Sequence, residues 1–455
     1  MKTILLWWES PLRFWAAKLT QVLLLLPLMF LAVKLRAPLL ASIRAELLWP
    51  LPLALGVLLA LNLPRFWHRK THEHRRRHIM RWVVLMLCGA GLAFTLTTEA
   101  KYHLAKHRVL TGDAAQLERL GQHLVVGYRD FDAVKTLVEK RAIGGIFISH
   151  RNLEGQSIQL LRDQIATLQA IRRGQGLPPL WVATDQEGGV VSRLSPPLTH
   201  LPPLAEVIDQ APTAAKRQQR VQAYGDTHGQ ELAALGINLN FAPVVDLNKG
   251  VVNPEDKFSV IYRRAISSDK TVVAAVAKDY CAALLSHGVH CTLKHFPGLG
   301  RLDADTHLTS AHLDTSITEL AQDDWLPFQQ VMQIEGVVTM LGHPILTAVD
   351  NQHPASFSAA VVQDILRQQW QYDGVLITDD FCMGAVFNSR DGATGGTIKA
   401  LNAGVDLILI SYDADLYYPV MAALMKAEQG DRLSPDRLMA SRDRLQLALN
   451  RTAME

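Results

Sequence analysis

Residues 374–385 read GVLITDDFCMGA: positions 375–378 (VLIT) are apolar or β-branched and run directly into Asp379 and Asp380. So short and unbroken an apolar run predicts a strand covered on both faces, as in a parallel sheet flanked by helices. Seven more runs have the same form, at 123–127 (HLVVG), 145–149 (GIFIS), 181–184 (WVAT), 239–244 (LNFAPV), 291–294 (CTLK), 337–341 (VVTML) and 407–411 (LILIS). Amphipathic helical patterns lie between them, among them 157–173, 214–235, 270–286, 358–369 and 397–402. Eight such units across residues 109–455 predict an α/β chain closed into a (β/α)8 TIM-type barrel. The rival, an open doubly wound sheet, ordinarily carries a glycine-rich phosphate turn after its first strand, and GYRDF (127–131) is not one.

Polar residues fall at the ends of these runs. Asp185 follows the third, Asp246 the fourth, Lys294 and His295 close the fifth, His343 follows the sixth, and Asp379 with Asp380 the seventh. The carboxyl ends of barrel strands form the face that carries the active site, so five loops deliver carboxylates, a lysine and imidazoles to one pocket. One such residue alone reads equally well as a helix cap or a satisfied core polar group. Their convergence on one face does not.

The 455 residues are 49% hydrophobic, enough for a sizeable core. A net charge of +3 leaves a nucleic-acid partner without electrostatic support. Cys88, Cys281, Cys291 and Cys382 have neither the density of a disulfide scaffold nor metal-ligand spacing, and read as core or membrane residues. A bridge between Cys281 and Cys291 stays open, conditional on an oxidising compartment.

The basic charge gathers near the amino terminus, among three apolar stretches at 19–33, 47–64 and 79–98, each near the ~20 residues that cross a bilayer. The first is short and carries Pro27, and the second carries Pro50, Pro52 and Asn62, which leaves between one and three true crossings. A cleaved signal peptide has one such run, not three separated by charged loops. Between the second and third runs stands RFWHRKTHEHRRRH (65–78), with Arg65, Arg69, Lys70, Arg75, Arg76 and Arg77. A cluster of this kind stays cytoplasmic, so the last crossing carries the following domain outward. Its histidines, His68, His72, His74 and His78, interleave with arginines and read as a loop facing lipid headgroups rather than as metal ligands. The expected organisation is a membrane region over 1–108 and a barrel over 109–455, in a multi-pass inner-membrane protein whose barrel is extracytoplasmic.

Taken together, DQEGG (185–189) with Arg193, FAPVVD (241–246), KHFPGLG (294–300), DTH (305–307) and the opening stretch closely resemble glycoside hydrolase family 3 over roughly residues 120–450. Within it the chain is similar to the single-domain β-N-acetylhexosaminidases, marked by KHFPGxGxxxxDxH. The family's two-domain β-glucosidases take their acid/base glutamate from a second α/β domain that lies beyond where this sequence stops. The resemblance implies Asp379 as nucleophile, with Asp380 orienting it or capping the next helix, and His307 as acid/base supported by Asp305. It implies Asp185, Arg193, Arg264, Lys294 and His295 as holders of the sugar hydroxyls and the 2-acetamido group. Two places depart from the pattern: YRRAI (262–266) replaces the usual Gly-acid-Arg-Ser-aromatic run, and Leu299 stands where the loop commonly has histidine.

The chemistry asks for these residue types in its own right. Retaining hydrolysis needs a carboxylate on one face of the sugar and a proton shuttle on the other. An imidazole, with an ordinary pKa of about 6.5, can both give and take a proton near neutral pH. Both steps run on side chains and water, so no metal or organic cofactor is expected. The implied function is a retaining exo-β-N-acetylglucosaminidase acting on peptidoglycan-derived or other extracytoplasmic amino-sugar glycans, with membrane lipid as its other partner. The alternatives are a β-glucosidase or β-xylosidase of the same family, and a glycan-binding membrane protein without catalysis.

Overall fold

In the computed structural model, which describes residues 11–63 and 72–452, all eight expected strands form one closed parallel barrel. They are β1 (Leu124–Gly127), β2 (Gly145–Ile148), β3 (Trp181–Thr184), β4 (Leu239–Asn240), β5 (His290–Phe296), β6 (Val338–Leu341), β7 (Leu376–Asp380) and β8 (Leu407–Ile410). Each pairs with the next in sequence, and β8 closes on β1 through Leu124↔Ile408, Val125↔Leu409 and Val126↔Ile410. Because successive strand side chains alternate in direction, every second residue points inward. Val125, Trp181, Ala183, Leu239, Phe241, Val338, Met340, Val375, Ile377, Leu407 and Leu409 accordingly form one buried cluster.

Leu445 and Leu449 of the last helix (Pro435–Thr452) belong to the same cluster. Arg444 of that helix donates to Asp406, which precedes β8, at 2.9 Å, and Ser441 meets His123, which precedes β1, at 3.3 Å. The helix therefore closes the amino-terminal end of the barrel, opposite the end where the polar residues gather.

Local chemistry sets the helix limits. Ser157, Thr213 and Asp269 cap Ile158–Gly174, Ala214–Ala234 and Lys270–Leu285 by accepting first-turn N–H groups. The pattern at 358–369 forms a wider helix with i→i+5 bonds over Ala360–Gln369, and the one at 397–402 belongs to a longer helix, Gly392–Ala403, ended by Gly404 at φ 99°.

Cys281, on a helix, and Cys291, on β5, are not merely core residues as first read: they form a disulfide with a Cα–Cα distance of 5.3 Å. With its ends only 10 positions apart, the bridge restrains the unfolded chain by about 3 kcal/mol in the loop-entropy account. Replacing both cysteines with serine is expected to lower unfolding free energy by about 2–3 kcal/mol in denaturant titration while leaving catalytic constants unchanged. Loss of activity at temperatures where the variant is still folded would contradict that separation.

The chain divides into two compact units, 1–107 and 108–455. The first contains helices Pro11–Lys34, Arg44–Leu47 and Pro50–Asn62 and all but the last three residues of His72–Leu110. Three segments are long and apolar enough to cross a membrane: Phe14–Lys34, Arg44–Asn62 and Ile79–Leu110. The first continues through Pro27, and the third runs well past residue 98, since 99–110 (EAKYHLAKHRVL) holds neither glycine nor proline to stop it. Leu25, Ala32, Leu35, Leu51, Leu55, Val84 and Cys88 form this unit's own core. Gly91 permits the close approach, since a Cβ there would meet Met29 Sδ at 2.9 Å and Leu55 at 3.1 Å. Arg65, His68, Arg69 and Lys70 of the basic segment lie outside the described residues, as do the side chains of His72, His74, Arg75, Arg77 and His78.

Candidate active site

The inward files of β3 and β7 run past their apolar members into charge. Trp181 and Ala183 are followed two residues on by Asp185, and Val375 and Ile377 by Asp379. Strand parity thus separates the aspartate pair. Asp380 points away and accepts four hydrogen bonds, from Cys382 N (3.0 Å), Ser411 N (3.0 Å), Ser411 Oγ (2.6 Å) and Tyr412 N (2.9 Å). It clamps the end of β7 to that of β8. The β7–β8 register shifts between Ile377 and Asp380, an irregularity of the kind that re-aims side chains beside a site.

Asp379 keeps its carboxylate for the mouth of the barrel, where, among the described residues, its one hydrogen bond is from Asp380 N at 2.8 Å. Burial pushes this carboxyl up, but His295, His343, His307 and the Asp380 N–H outweigh it and hold it down to about 2. It is therefore ionised throughout the neutral range. Burial holds His343 below the ordinary imidazole value, and its partners fit the neutral ring: Ser356 Oγ donates to Nδ1 at 2.8 Å, and Nε2–H donates to Asp380 O at 3.1 Å.

Four of the five residues that the resemblance implies as sugar-holding, Asp185, Arg264, Lys294 and His295, join one polar network around Lys294, which is 2% exposed. Its Nζ lies 2.7 Å from Asp185 and 2.5 Å from Glu187. Glu187 also receives both arms of Arg264, at 2.9 and 2.7 Å, and Arg264 Nη2 reaches His295 Nε2 at 3.4 Å. His295 Nδ1–H donates to Asp246 at 2.7 Å, and Asp246 also accepts from Leu299 N at 2.7 Å. Burial pushes the Glu187 carboxyl up, and Arg264 with Lys294 overcomes it, holding it down to about 2. Removing one partner from so buried a pair leaves an uncompensated charge, at a cost of roughly 3–5 kcal/mol. Arg193 stands apart: its backbone N–H donates to Asp185 O at 3.0 Å while its side chain is exposed at the rim.

Asp305 and His307 form a dyad. Asp305 Oδ1 accepts from His307 N at 2.9 Å and from His307 Nδ1 at 2.8 Å, which leaves Nε2 as the nitrogen available for proton exchange. Asp305 is 3% exposed and His307 38%. Burial pushes the Asp305 carboxyl up, but His307 and the N–H of Phe258 keep it below the usual carboxylate value. The Phe258 ring lies 5.7 Å from that of His307. The loop is docked against the segment after β7, since Gly384 N donates to His307 O at 2.7 Å and Ala385 N to Thr306 O at 3.1 Å. A Cβ on Gly384 would meet Leu308 O at 2.2 Å, so only glycine permits this approach.

The glycines of the two signature loops have similar reasons. Gly188, at φ 92°, would carry a Cβ only 1.7 Å from Tyr224 Oη, and Gly300 one only 1.8 Å from Leu247 O. The two departures from the family pattern pack on each other: Leu299 is buried in a cluster with Ile261 and Ala265. The sequence reading missed Glu187 as a site residue, although it stands two positions after Asp185 in DQEGG, and noted Asp246 and His343 only as strand-end polar residues.

The chain is similar to known proteins. The profile described as Glycosyl hydrolase family 3 N terminal domain matches residues 116–448. A β-hexosaminidase of Nitrosomonas eutropha is 35% identical over 276 residues, 60% of this chain and 75% of the relative. A glycoside hydrolase family 3 β-N-acetylglucosaminidase from Paenibacillus sp. str. FPU-7 superposes with a TM-score of 0.67 at 31% identity, covering 74% of this chain and 62%, less than two thirds, of that one. LpqI of Mycobacterium tuberculosis superposes with a TM-score of 0.64 at 30% identity, covering 73% of this chain and 93% of that one.

Proposed function

We propose that this chain, which belongs to glycoside hydrolase family 3 and is a glycoside hydrolase of the β-N-acetylhexosaminidase type, removes terminal N-acetylglucosamine with retention of configuration. The observation that carries this reading is the meeting, at one barrel mouth, of an ionised Asp379 with an aspartate-backed imidazole on a facing loop. Asp379 attacks the anomeric carbon while His307 Nε2–H protonates the departing oxygen. His307 then takes a proton from the water that releases the sugar. Asp305 holds Nδ1–H and offsets the positive charge as it forms. Lys294, Asp185, Arg264 and His295 hold the hydroxyls, and Glu187 and Asp246 keep those side chains in place.

The test is hydrolysis of aryl β-glycosides of GlcNAc, GalNAc, glucose and xylose by the full chain in detergent. We expect kcat/KM for GlcNAc to exceed that for glucose by roughly a hundredfold or more, the scale reached when a site built for a polar group meets an analogue lacking it. Preference for glucose or xylose overturns the hexosaminidase reading and leaves the fold untouched.

The site works outside the cytoplasm, on peptidoglycan fragments or another amino-sugar glycan. Three lines support this placement. The first unit exposes Leu19, Leu23, Leu26 and Phe30, a surface suited to lipid. Basic segment 65–78 precedes the third apolar helix. The Cys281–Cys291 disulfide is of a kind that persists in oxidising compartments. A reporter fused after Glu455 should therefore be active only where extracytoplasmic folding is required; cytoplasmic reporter activity would reverse both the topology and the substrate pool.

A further inference from the structure

Three arginines stand side by side on the rim of the same barrel mouth, on neighbouring strands. Arg129 lies two residues beyond β1, Arg151 three beyond β2, and Arg193 on the hairpin beyond β3. Asn152 Nδ2 donates to Tyr128 O at 3.0 Å and ties the first two loops together. Arg151 is held from behind: its Nη1 donates to Tyr412 O at 2.9 Å, and its guanidinium lies 4.9 Å from the centre of the Tyr412 ring. Tyr412 follows β8, and its own N–H is anchored on Asp380.

Among the described residues, none of these three guanidinium groups has a carboxylate within ion-pair reach. The better-covered arginines of this unit are paired: Arg264 with Glu187, Arg301 with Asp324, and Arg367 and Arg444 with Asp406. Arg151 registers the crowding: burial and then Arg129 hold its guanidinium below the ordinary value, with Arg193 acting in the same sense, although Tyr412 and the Asp380 carboxylate oppose them. Like charges gathered without a directly paired carboxylate are unfavourable unless more negative charge is brought to them. Guanidinium groups at adjacent positions are the usual recognition device for sulfate, phosphate or carboxylate.

Placement assigns the anion to one side of the scissile bond. The dyad and its supports stand on the loops after β4, β5 and β7, whereas the arginines stand on those after β1, β2 and β3 and are braced from β8. The acid that protonates the departing oxygen must be on the leaving-group side, so the opposite wall faces the sugar that is cut off. We infer that Arg129 and Arg151, extending from Arg193, form a subsite for a negatively charged oxygen substituent carried by the terminal sugar. This deepens, and rests on, the glycosidase reading. The preferred substrate is then an amino sugar bearing a sulfate, phosphate or carboxylate away from its anomeric carbon.

The test compares kcat/KM of the full chain for 4-nitrophenyl β-N-acetylglucosaminide and for its 6-sulfate. The sulfated substrate should be favoured by roughly tenfold to a hundredfold, the scale of a charge-assisted hydrogen bond, and less so as salt rises. R129Q, on an exposed side chain, and R129Q/R151Q should erase the preference while hydrolysing the neutral substrate at near the parent rate. No preference in the parent, or one unchanged in both variants, overturns the subsite. If the arginines instead favour a carboxylate placed on the aryl leaving group, the assignment to the terminal sugar is wrong. Should neither substrate be hydrolysed, the glycosidase reading fails on its own. Calorimetric binding of N-acetylglucosamine 6-sulfate, tighter than that of N-acetylglucosamine in the parent but not in R129Q, then still supports the anion site, and equal binding still overturns it.

Discussion

Asp379→Asn is expected to lose turnover by on the order of 10⁴-fold or more, the scale for removing an essential catalytic group. The amide keeps the shape and the hydrogen bond from Asp380 N but cannot supply the anionic oxygen that forms the glycosyl-enzyme bond. Binding of a non-hydrolysed sugar should survive, since the Lys294 network is separate from that bond. Asp380→Asn provides the contrast. Its carboxylate accepts four hydrogen bonds, three of which join the end of β7 to that of β8, so an amide there should cost stability, by about 1–3 kcal/mol, and retain measurable turnover. A fluorosugar that traps the intermediate should label Asp379. Labelling of Asp380, or inverted configuration in the product, rejects the assignment.

His307→Ala should separate the two proton transfers according to the leaving group. With a sugar aglycone, loss of the general acid is expected to slow the reaction by roughly 10²–10⁴-fold. An aryl group such as nitrophenolate departs with little proton assistance, so the glycosyl-enzyme still forms and then waits for a base. The variant should release a burst of nitrophenol followed by a slow steady state, with kcat and KM falling together as the intermediate accumulates. Azide needs no deprotonation and should restore turnover, yielding the β-glycosyl azide. Asp305→Ala should do less damage, because the imidazole remains while only its support at 2.8 Å is gone. Parent-like rates for His307→Ala on both leaving groups would remove the dyad from the mechanism.

Much of the site was legible because barrel geometry converts sequence position into direction. The strand-end positions of Asp185 and Asp379 place both at the mouth, whereas in the sequence Asp379 was set apart from Asp380 by the family resemblance alone, and the structure supplies the physical reason in the alternation that runs through Val375 and Ile377. Glu187 was harder to read. An acid between glutamine and two glycines looks like part of a turn, and only the folded hairpin brings it within 2.7 Å of Arg264, 77 residues away. The departures at Leu299 and YRRAI are read as separate anomalies in the linear chain, and their mutual packing exists only after the two loops meet. The Cys281–Cys291 pairing likewise depends on how the helix and β5 present their Cα atoms, at 5.3 Å, which spacing along the chain does not specify.

By itself, then, the sequence determined the eight-strand barrel, the end of it that carries charge and the apolar segments ahead of it, because apolar runs and the order of strands are local properties of the chain, and its motifs carried the resemblance to the family. Tertiary structure alone decided which charges neutralise one another. Lys294 takes two carboxylates, Asp380 is consumed by β8, Asp379 is left to the mouth, and three arginines on adjacent loops are left without an ion-pair partner among the described residues. Ion pairing falls off steeply with distance and requires desolvated contact, so it depends on separations of a few ångströms between residues tens to hundreds of positions apart.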